Sequence, residues 1–423
     1  MQKRLTTYIL IAMVLGIVVG AAIHSQLSTE QAKAWAGYLG IITDLFLRMI
    51  KMIIAPLVLA TLIGGIAHMG AGGSVGRIGV RTIGWFLGAS ILSLTLGLVM
   101  VNLLQPGVGL GLPLPEVTAD AGIATSALNL KDFITHLVPK SIFEAMATNE
   151  VLQIVVFSVF AGVALTSIGD KGAPIVRGLE ALTHMMLRVT DFVMWFAPAG
   201  VFAAIAAAVA THGLEILSTY VKFLGGFYLA LLILWVILLS AGAFVVGAKR
   251  AMLIPRYVRE PLLIAFSTAS SEAAFPRLLE QLERYGVRGR IAGFVLPLGY
   301  SFNLDGSMMY CAFATVFIAQ AYGIDLTLAQ EFTMLGLLLI TSKGIAAVPR
   351  ASLVVIAATL PFFNIPGAGL LLILGIDVFL DMGRTATNVI GNAVASAVVA
   401  KWEGVLEEPF GPDGELEPKP AVG

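Results

Sequence analysis

Between Thr6 and Ala400 the chain returns repeatedly to apolar runs long enough to cross a lipid bilayer. A helix crosses the hydrocarbon layer in about 20 residues, and such runs fall at 6–24, 40–68, 79–104, 150–168, 176–210, 216–247, 291–322 and 367–400. Several exceed the minimum, so tilted helices are expected. The composition agrees. Of 423 residues, 58% are hydrophobic and only 12% charged, against about 25% charged in a soluble domain. Lys plus Arg (26) equals Asp plus Glu (26), which leaves a nucleic-acid partner without electrostatic support. The one cysteine, Cys311, excludes an intramolecular disulfide and any CxxC redox or metal motif, and the five histidines show no ligand spacing. The opening MQKRL followed by TYILIAMVLGIVVGAA reads as a first membrane helix, being long for a signal-peptide core.

Two segments, 257–287 and 330–366, are too interrupted to span. Each carries a polar tip, STASSEAAFPR at 267–277 and ITSKGIAAVPR at 340–350, between apolar arms. Arms of roughly 10–14 residues suit a re-entrant hairpin, and non-helical backbone at membrane depth survives only when buried in protein or lining a wet cavity. The expected fold is therefore an all-α polytopic membrane protein with eight transmembrane helices, two re-entrant helical hairpins and inverted repeats. Folds of this kind hold solute near the midplane at broken helices. Lys3, Arg4, Arg77, Arg81, Lys249, Arg250, Arg256 and Arg259 fall on one face under this assignment. The positive-inside rule then places both termini in the cytoplasm, with the chain in the inner (plasma) membrane. Residues 404–423, rich in Glu, Pro and Gly, read as a disordered cytoplasmic tail.

The last span, GIDVFLDMGRTATNVIGNAVASAVVAKWE, carries its polar residues as a stripe. At about 100° per residue, Asp377, Asp381, Arg384, Thr385, Asn388 and Asn392 share an arc of roughly 100°. A structural pair between Asp381 and Arg384 accounts for two of them, but not for Asp377 and two asparagines on the same face. Ionisable groups inside a membrane are costly and mark interior sites. In the seventh span GYSFNLDGS places Asn303, Asp305, Gly306 and Ser307 in mid-membrane, implying a local unwinding.

TASSEAAFP, GYSFNLDGS, TSKGIAAVP and DMGRTATNVIGNA together resemble the dicarboxylate/amino acid:cation symporters, the glutamate transporter family, and among them most closely the bacterial proton–glutamate symporters. The resemblance covers about 1–405. It implies a glutamate-transporter-like fold, a homotrimer and an elevator movement. Residues 1–255 would form mainly the scaffold, with spans 3 and 6 contributing to a transport core at 256–403. By position, Asp381 would receive a substrate ammonium and Arg384 a side-chain carboxylate. Ser270, Ser271 and Asn388 would serve the α-carboxylate, with Ser307 and Thr385 lining the same pocket. Asn303, Asp305, Asp377, Asn392 and Ser90 match cation-site positions. Having both Asp381 and Arg384 favours glutamate or aspartate, with C4-dicarboxylates as the alternative.

Sodium-coupled relatives carry Asp at the Asn392 position and Tyr and Thr at the Phe86 and Ala89 positions, so oxygen ligands are lost here. They also tend to carry a third Ser in the first tip, where this chain has Glu272. Proton coupling through Glu272, with Asp305, is the expectation, and sodium is the alternative co-ion. No cofactor and no metal centre is expected beyond the transported ion. Arg350 stands where the family has Gly. It could latch to Glu272, grip a dicarboxylate, replace a cation or face solvent. Arg277, beside Glu280, Glu283 and Arg284, reads as part of a solvated face. A channel would need a continuous polar path, and an enzyme would need a base beside Ser271. Neither pattern is present, so the expectation is a carrier and not an enzyme.

Overall fold

The computed structural model describes residues 2–67, 74–109, 114, 135, 138–213, 220–342, 351–374 and 376–409. These are almost entirely helical. The long elements are α1 (Gln2–Gln26), α2 (Thr29–Ala67), α3 (Ser74–Leu104), α4 (Val151–Ser167), α5 (Ala173–Met194), α6 (Ala197–His212) and α7 (Val221–Val246). After them come α8 (Ile254–Thr268), α9 (Ser271–Tyr285), α10 (Gly289–Phe302), α11 (Asp305–Ala321), α12 (Leu328–Thr341), α13 (Ala351–Thr359) and α14 (Asp377–Trp402). Among the described residues five helices are long and apolar enough to cross a membrane, α10 and α11 counting as one, and a sixth crossing arises if the bent pair α5–α6 is a single span.

Boundaries differ from the sequence reading where local chemistry intervenes. The second run starts earlier, at Thr29, and forms one 39-residue helix that includes Pro56. The run 176–210 bends by 53° between α5 and α6, where Pro198 opens α6 in the position that tolerates a missing N–H. The run 367–400 gives a short 3₁₀ turn, a five-residue helix and then α14. Within 257–287 the turn falls at Ala269, which takes a left-handed conformation (φ 49°), and Ser270 caps α9 by accepting from the Ala273 N–H at 3.2 Å. Most of the loop 105–140, the second tip from 343 to 350, and Arg350 with it, lie outside the described residues.

The helices pack around α14, which is buried by α7, α8, α9, α10 and α11. One apolar core joins α2 to α8, α9, α10 and the back of α14, through residues such as Ile54, Phe275, Val295 and Val398. A second joins α3, α7, α11 and α13 through Phe223, Phe227, Phe313 and Ile356. Outward-facing apolar side chains such as Phe244 and Val236 suit contact with lipid.

The described start of the 404–423 segment is not loose. Gly404 (φ 69°) turns the chain back. Leu406 bridges Val287 in antiparallel fashion, the Glu407 N–H donates to Gly286 O at 2.8 Å, and Arg288 pairs with the Glu407 carboxylate at 2.9 Å. Two arginines on neighbouring elements, Arg250 and Arg288, supply partners to the segment, and two more hold Glu403 just before it. Arg250 donates to the Glu407 carbonyl, and Arg77 and Arg81 reach Glu403 at 2.8 and 2.7 Å.

The two arginines hold the Glu403 carboxyl below the usual carboxylate range. A lowered folded-state pKa contributes stability that is full above the unfolded value and is lost as pH falls through the folded one. Glu403→Gln is therefore expected to be less stable than wild type at neutral pH, the gap narrowing only as pH falls below the ordinary carboxylate range and through the lowered folded-state value. Thermal unfolding of both proteins across pH 3–7 checks this, and a gap that does not narrow at the acid end contradicts it.

Candidate functional site

The site is built where two helices break against an unbroken one. Asn303 and Leu304 leave the helical conformation (φ −127°, ψ 61° and φ −96°, ψ 65°) between α10 and α11. A helix start leaves N–H groups without partners, and Leu304 offers no side-chain cap. The cap comes from across the site: Asn388 Oδ1 on α14 accepts from the Gly306 and Ser307 N–H groups at 2.9 and 3.4 Å. The α11 backbone can approach so closely only because residue 306 is glycine, where a Cβ would lie 2.7 Å from Arg384 Cα. Asn388 Nδ2 is left facing Ser307 Oγ (3.3 Å) and Ser271 Oγ (3.5 Å). The N-termini of α9 and α11 thus converge beside one carboxamide and two hydroxyls, a setting that favours a carboxylate.

One helical turn away, Arg384 is 2% exposed. Its Nε donates to Asp381 Oδ1 at 2.8 Å and its Nη1 to Asp377 Oδ1 at 3.1 Å. The guanidinium lies over the Tyr310 ring, 4.4 Å from its centroid, and the Tyr310 hydroxyl donates to Asp377 at 3.1 Å. Thr385 Oγ1 donates to the same Asp381 oxygen at 3.1 Å. Asp377, expected with the cation-site residues, bonds Arg384 and Tyr310 through Oδ1. Sequence reasoning passed over Tyr310, whose position on α11 gave no periodic signal.

A third group lies deeper. Asp305, fully buried, accepts from Asn303 Nδ2 at 3.1 Å and from Ser93 Oγ at 3.3 Å. Asn303 Nδ2 also meets Asn392 Oδ1 at 3.2 Å. Asn303 Oδ1 and Asn392 Nδ2 are buried with no hydrogen-bond partner among the described residues. Ser90 Oγ donates to the Phe302 carbonyl at 3.4 Å on the edge of this group. Ser93, three residues on, was not singled out from sequence. Gly391 lets α14 close on Asp305, since a Cβ there would meet the carboxylate.

Ser270 spends its hydroxyl on the α9 cap. Glu272, one residue past Ser271, is rotated about 100° around α9 and lies within electrostatic reach of Lys51, Glu150 and Tyr300, away from Arg384. Arg277 corrects the sequence reading outright. It is 2% exposed, forks onto Glu260 of α8 at 2.8 and 3.3 Å, bonds Glu280 and lies 3.6 Å from Asp191 of α5. It joins the two arms of the α8–α9 pair rather than facing solvent.

A polytopic helical protein with a buried zwitterionic cluster between broken helices defines the class of a secondary membrane carrier. The family model described as the sodium:dicarboxylate symporter family matches residues 5–402. The chain is 41% identical to a proton/glutamate-aspartate symporter of Escherichia coli, covering 93% of this chain and 92% of the relative. It is 40% identical to a proton/sodium-glutamate symport protein of Bacillus caldotenax (95% of each). It is 39% identical to a C4-dicarboxylate transport protein of Laribacter hongkongensis (96% and 91%). The chain belongs to the sodium:dicarboxylate symporter family, a family of secondary transporters and not of enzymes.

Proposed function

We propose that the protein takes up acidic amino acids, glutamate or aspartate, in symport with protons. The observation that carries this reading is the charge balance around Arg384. One guanidinium faces two carboxylates, Asp377 and Asp381, so the cluster holds one negative charge in excess. Asp381 is the member with an opening, its side chain 28% exposed. An uncompensated charge in a low-dielectric site costs several kcal/mol; a substrate ammonium at Asp381 offsets the carboxylate brought to Arg384, so the cluster stays at one negative charge and the co-transported proton is left to meet it. A C4-dicarboxylate has no ammonium and would add to the excess. The convergent α9 and α11 N-termini with Asn388, Ser271 and Ser307 suit the α-carboxylate, and Arg384 suits the distal one as a fork.

In this reading the chain forms eight spans and two hairpins, α8–α9 and α12–α13, that enter from opposite faces. Both termini are cytoplasmic in the plasma membrane. A core over 256–403 moves as an elevator against a trimeric scaffold built mainly from 1–255. The coupling protons ride on Glu272 and on Asp305, where Asn303 and Asn392 supply carboxamides but no second acid. The names of relatives include C4-dicarboxylate carriers and proton/sodium coupling, so the test separates both choices. Proteoliposomes are given a pH gradient or a sodium gradient alone, and uptake of radiolabelled glutamate and of radiolabelled succinate is followed. Glutamate uptake, ahead of succinate, is expected with the pH gradient and lost in Glu272→Gln or Asp305→Asn. Uptake driven by sodium at equal pH defeats proton coupling.

A further inference from the structure

Helix α7 touches α14 at residues seven apart. Tyr228 Oη donates to the Phe379 carbonyl at 2.6 Å, Trp235 Nε1 to Thr387 Oγ1 at 2.8 Å, and Gly242 lies against Val394. A repeat of seven is how one helix keeps a single edge on its neighbour. On α14, at about 100° per residue from Asp377, Gly383, Thr387 and Val394 fall between roughly −80° and −120°. The polar stripe occupies roughly −20° to 80° on the same scale. The seam is therefore on a different side of α14 from the site.

Its first contact is the one nearest the charge cluster. Phe379 and Gly383 bracket Asp381 in a single turn. Gly383 is where the Tyr228 ring settles: a Cβ there would lie 2.9 Å from Tyr228 Cε1 and Cζ and from Leu231 Cδ1. The start of α14 has no side-chain cap of its own. Ile376 at its N-cap gives no side-chain bond, and Asp377, the acid of its first turn, is drawn to Arg384 and Tyr310. The Tyr228 hydroxyl on the Phe379 carbonyl fixes that turn from behind, and the phenol lies within electrostatic reach of Asp381.

We propose that Tyr228 is a positioning residue that sets the direction of the Asp381 carboxylate, and so the preference for a substrate bearing an ammonium over the same skeleton without one. The inference rests on Asp381 being the ammonium acceptor. Trp235 belongs to the same seam but meets α14 at Thr387, away from that turn, and serves as the control.

The experiment compares full-length wild type, Tyr228→Phe and Trp235→Phe in nanodiscs. Hydrogen exchange is read over 376–384, and affinities for aspartate and succinate are read by calorimetry. Tyr228→Phe is expected to speed exchange over 376–384 and weaken aspartate about fivefold, the worth of one net hydrogen bond, while succinate is unaffected. Trp235→Phe is expected to lower the melting temperature and leave the aspartate-to-succinate ratio alone. Unchanged exchange over 376–384 in Tyr228→Phe overturns the proposal, as does an unchanged ratio, or a ratio shifted equally by Trp235→Phe. If wild type itself binds no aspartate, the functional reading fails, and the exchange result still decides whether Tyr228 holds the turn.

Discussion

Arg384→Ala is expected to abolish acidic amino acid binding and to destabilise the protein at the same time. The guanidinium holds Asp381 at 2.8 Å and Asp377 at 3.1 Å and stacks on Tyr310. Removing it leaves two carboxylates a single turn apart on one helix in a buried pocket. Breaking a buried pair on one side costs about 3–5 kcal/mol, which is more than a hundredfold in an equilibrium constant. Lysine is not expected to rescue, because a single ammonium cannot reproduce the fork to both acids. Adding Asp377→Asn to Arg384→Ala removes one of the stranded charges, so the double variant should regain much of the lost melting temperature and none of the glutamate affinity. Melting curves and calorimetry on the three proteins check this. Arg384→Ala binding glutamate within about tenfold of wild type would contradict the geometry, since that loss is only about 1.4 kcal/mol.

Arg277→Ala is the second large effect, and it acts far from the substrate. The side chain is 2% exposed and Glu260, its bidentate partner, 4% exposed. Without the arginine, Glu260 is an unpaired acid between two helices, again about 3–5 kcal/mol. The pair also links the α8 and α9 arms across 17 residues of chain, so its loss loosens the turn that carries Ser271. The variant is expected to lose several degrees of melting temperature and most of its uptake. Replacing both members, Glu260→Met with Arg277→Met, should recover the stability, because apolar residues of similar volume often replace a buried pair at little cost. A single variant as stable as wild type would show that the pair is solvated after all.

What the sequence disclosed and what it hid follow from the same physics. The stripe on α14 was legible because a helix repeats every 3.6 residues, and the residues expected on one arc do converge: Asp381, Arg384 and Thr385 share bonds, and Asn388 reaches both Ser271 and Ser307. The break at Asn303 was legible because carboxamide, acid and glycine in an apolar run have no helical reason to be there. Periodicity gives a direction, not a partner. It placed Asp377 on the arc without showing that two turns bring it under Arg384. It could not tell that the charged side of α9 faces α8, because i,i+3 and i,i+4 pairs such as Arg277–Glu280 and Glu280–Arg284 look alike in water and in an interface. The docked start of the C-terminal segment was hidden because Glu403 and Glu407 read as solubilising charges until Arg77, Arg81 and Arg288 are placed beside them. Of the two polar tips expected from the sequence, the second, with Arg350, lies outside the described residues.

The central claim is that the partly exposed carboxylate of Asp381, in a cluster with one negative charge in excess, receives a positive charge carried by the substrate. Aspartate and succinate differ by that ammonium and by little else, so competition between them for the purified wild-type protein tests the claim directly. Displacement of bound radiolabelled glutamate by aspartate at concentrations at least tenfold below those needed for succinate, a gap of about 1.4 kcal/mol, is the result expected. Equal potency, or succinate ahead of aspartate, would show that Asp381 is met by something other than the substrate.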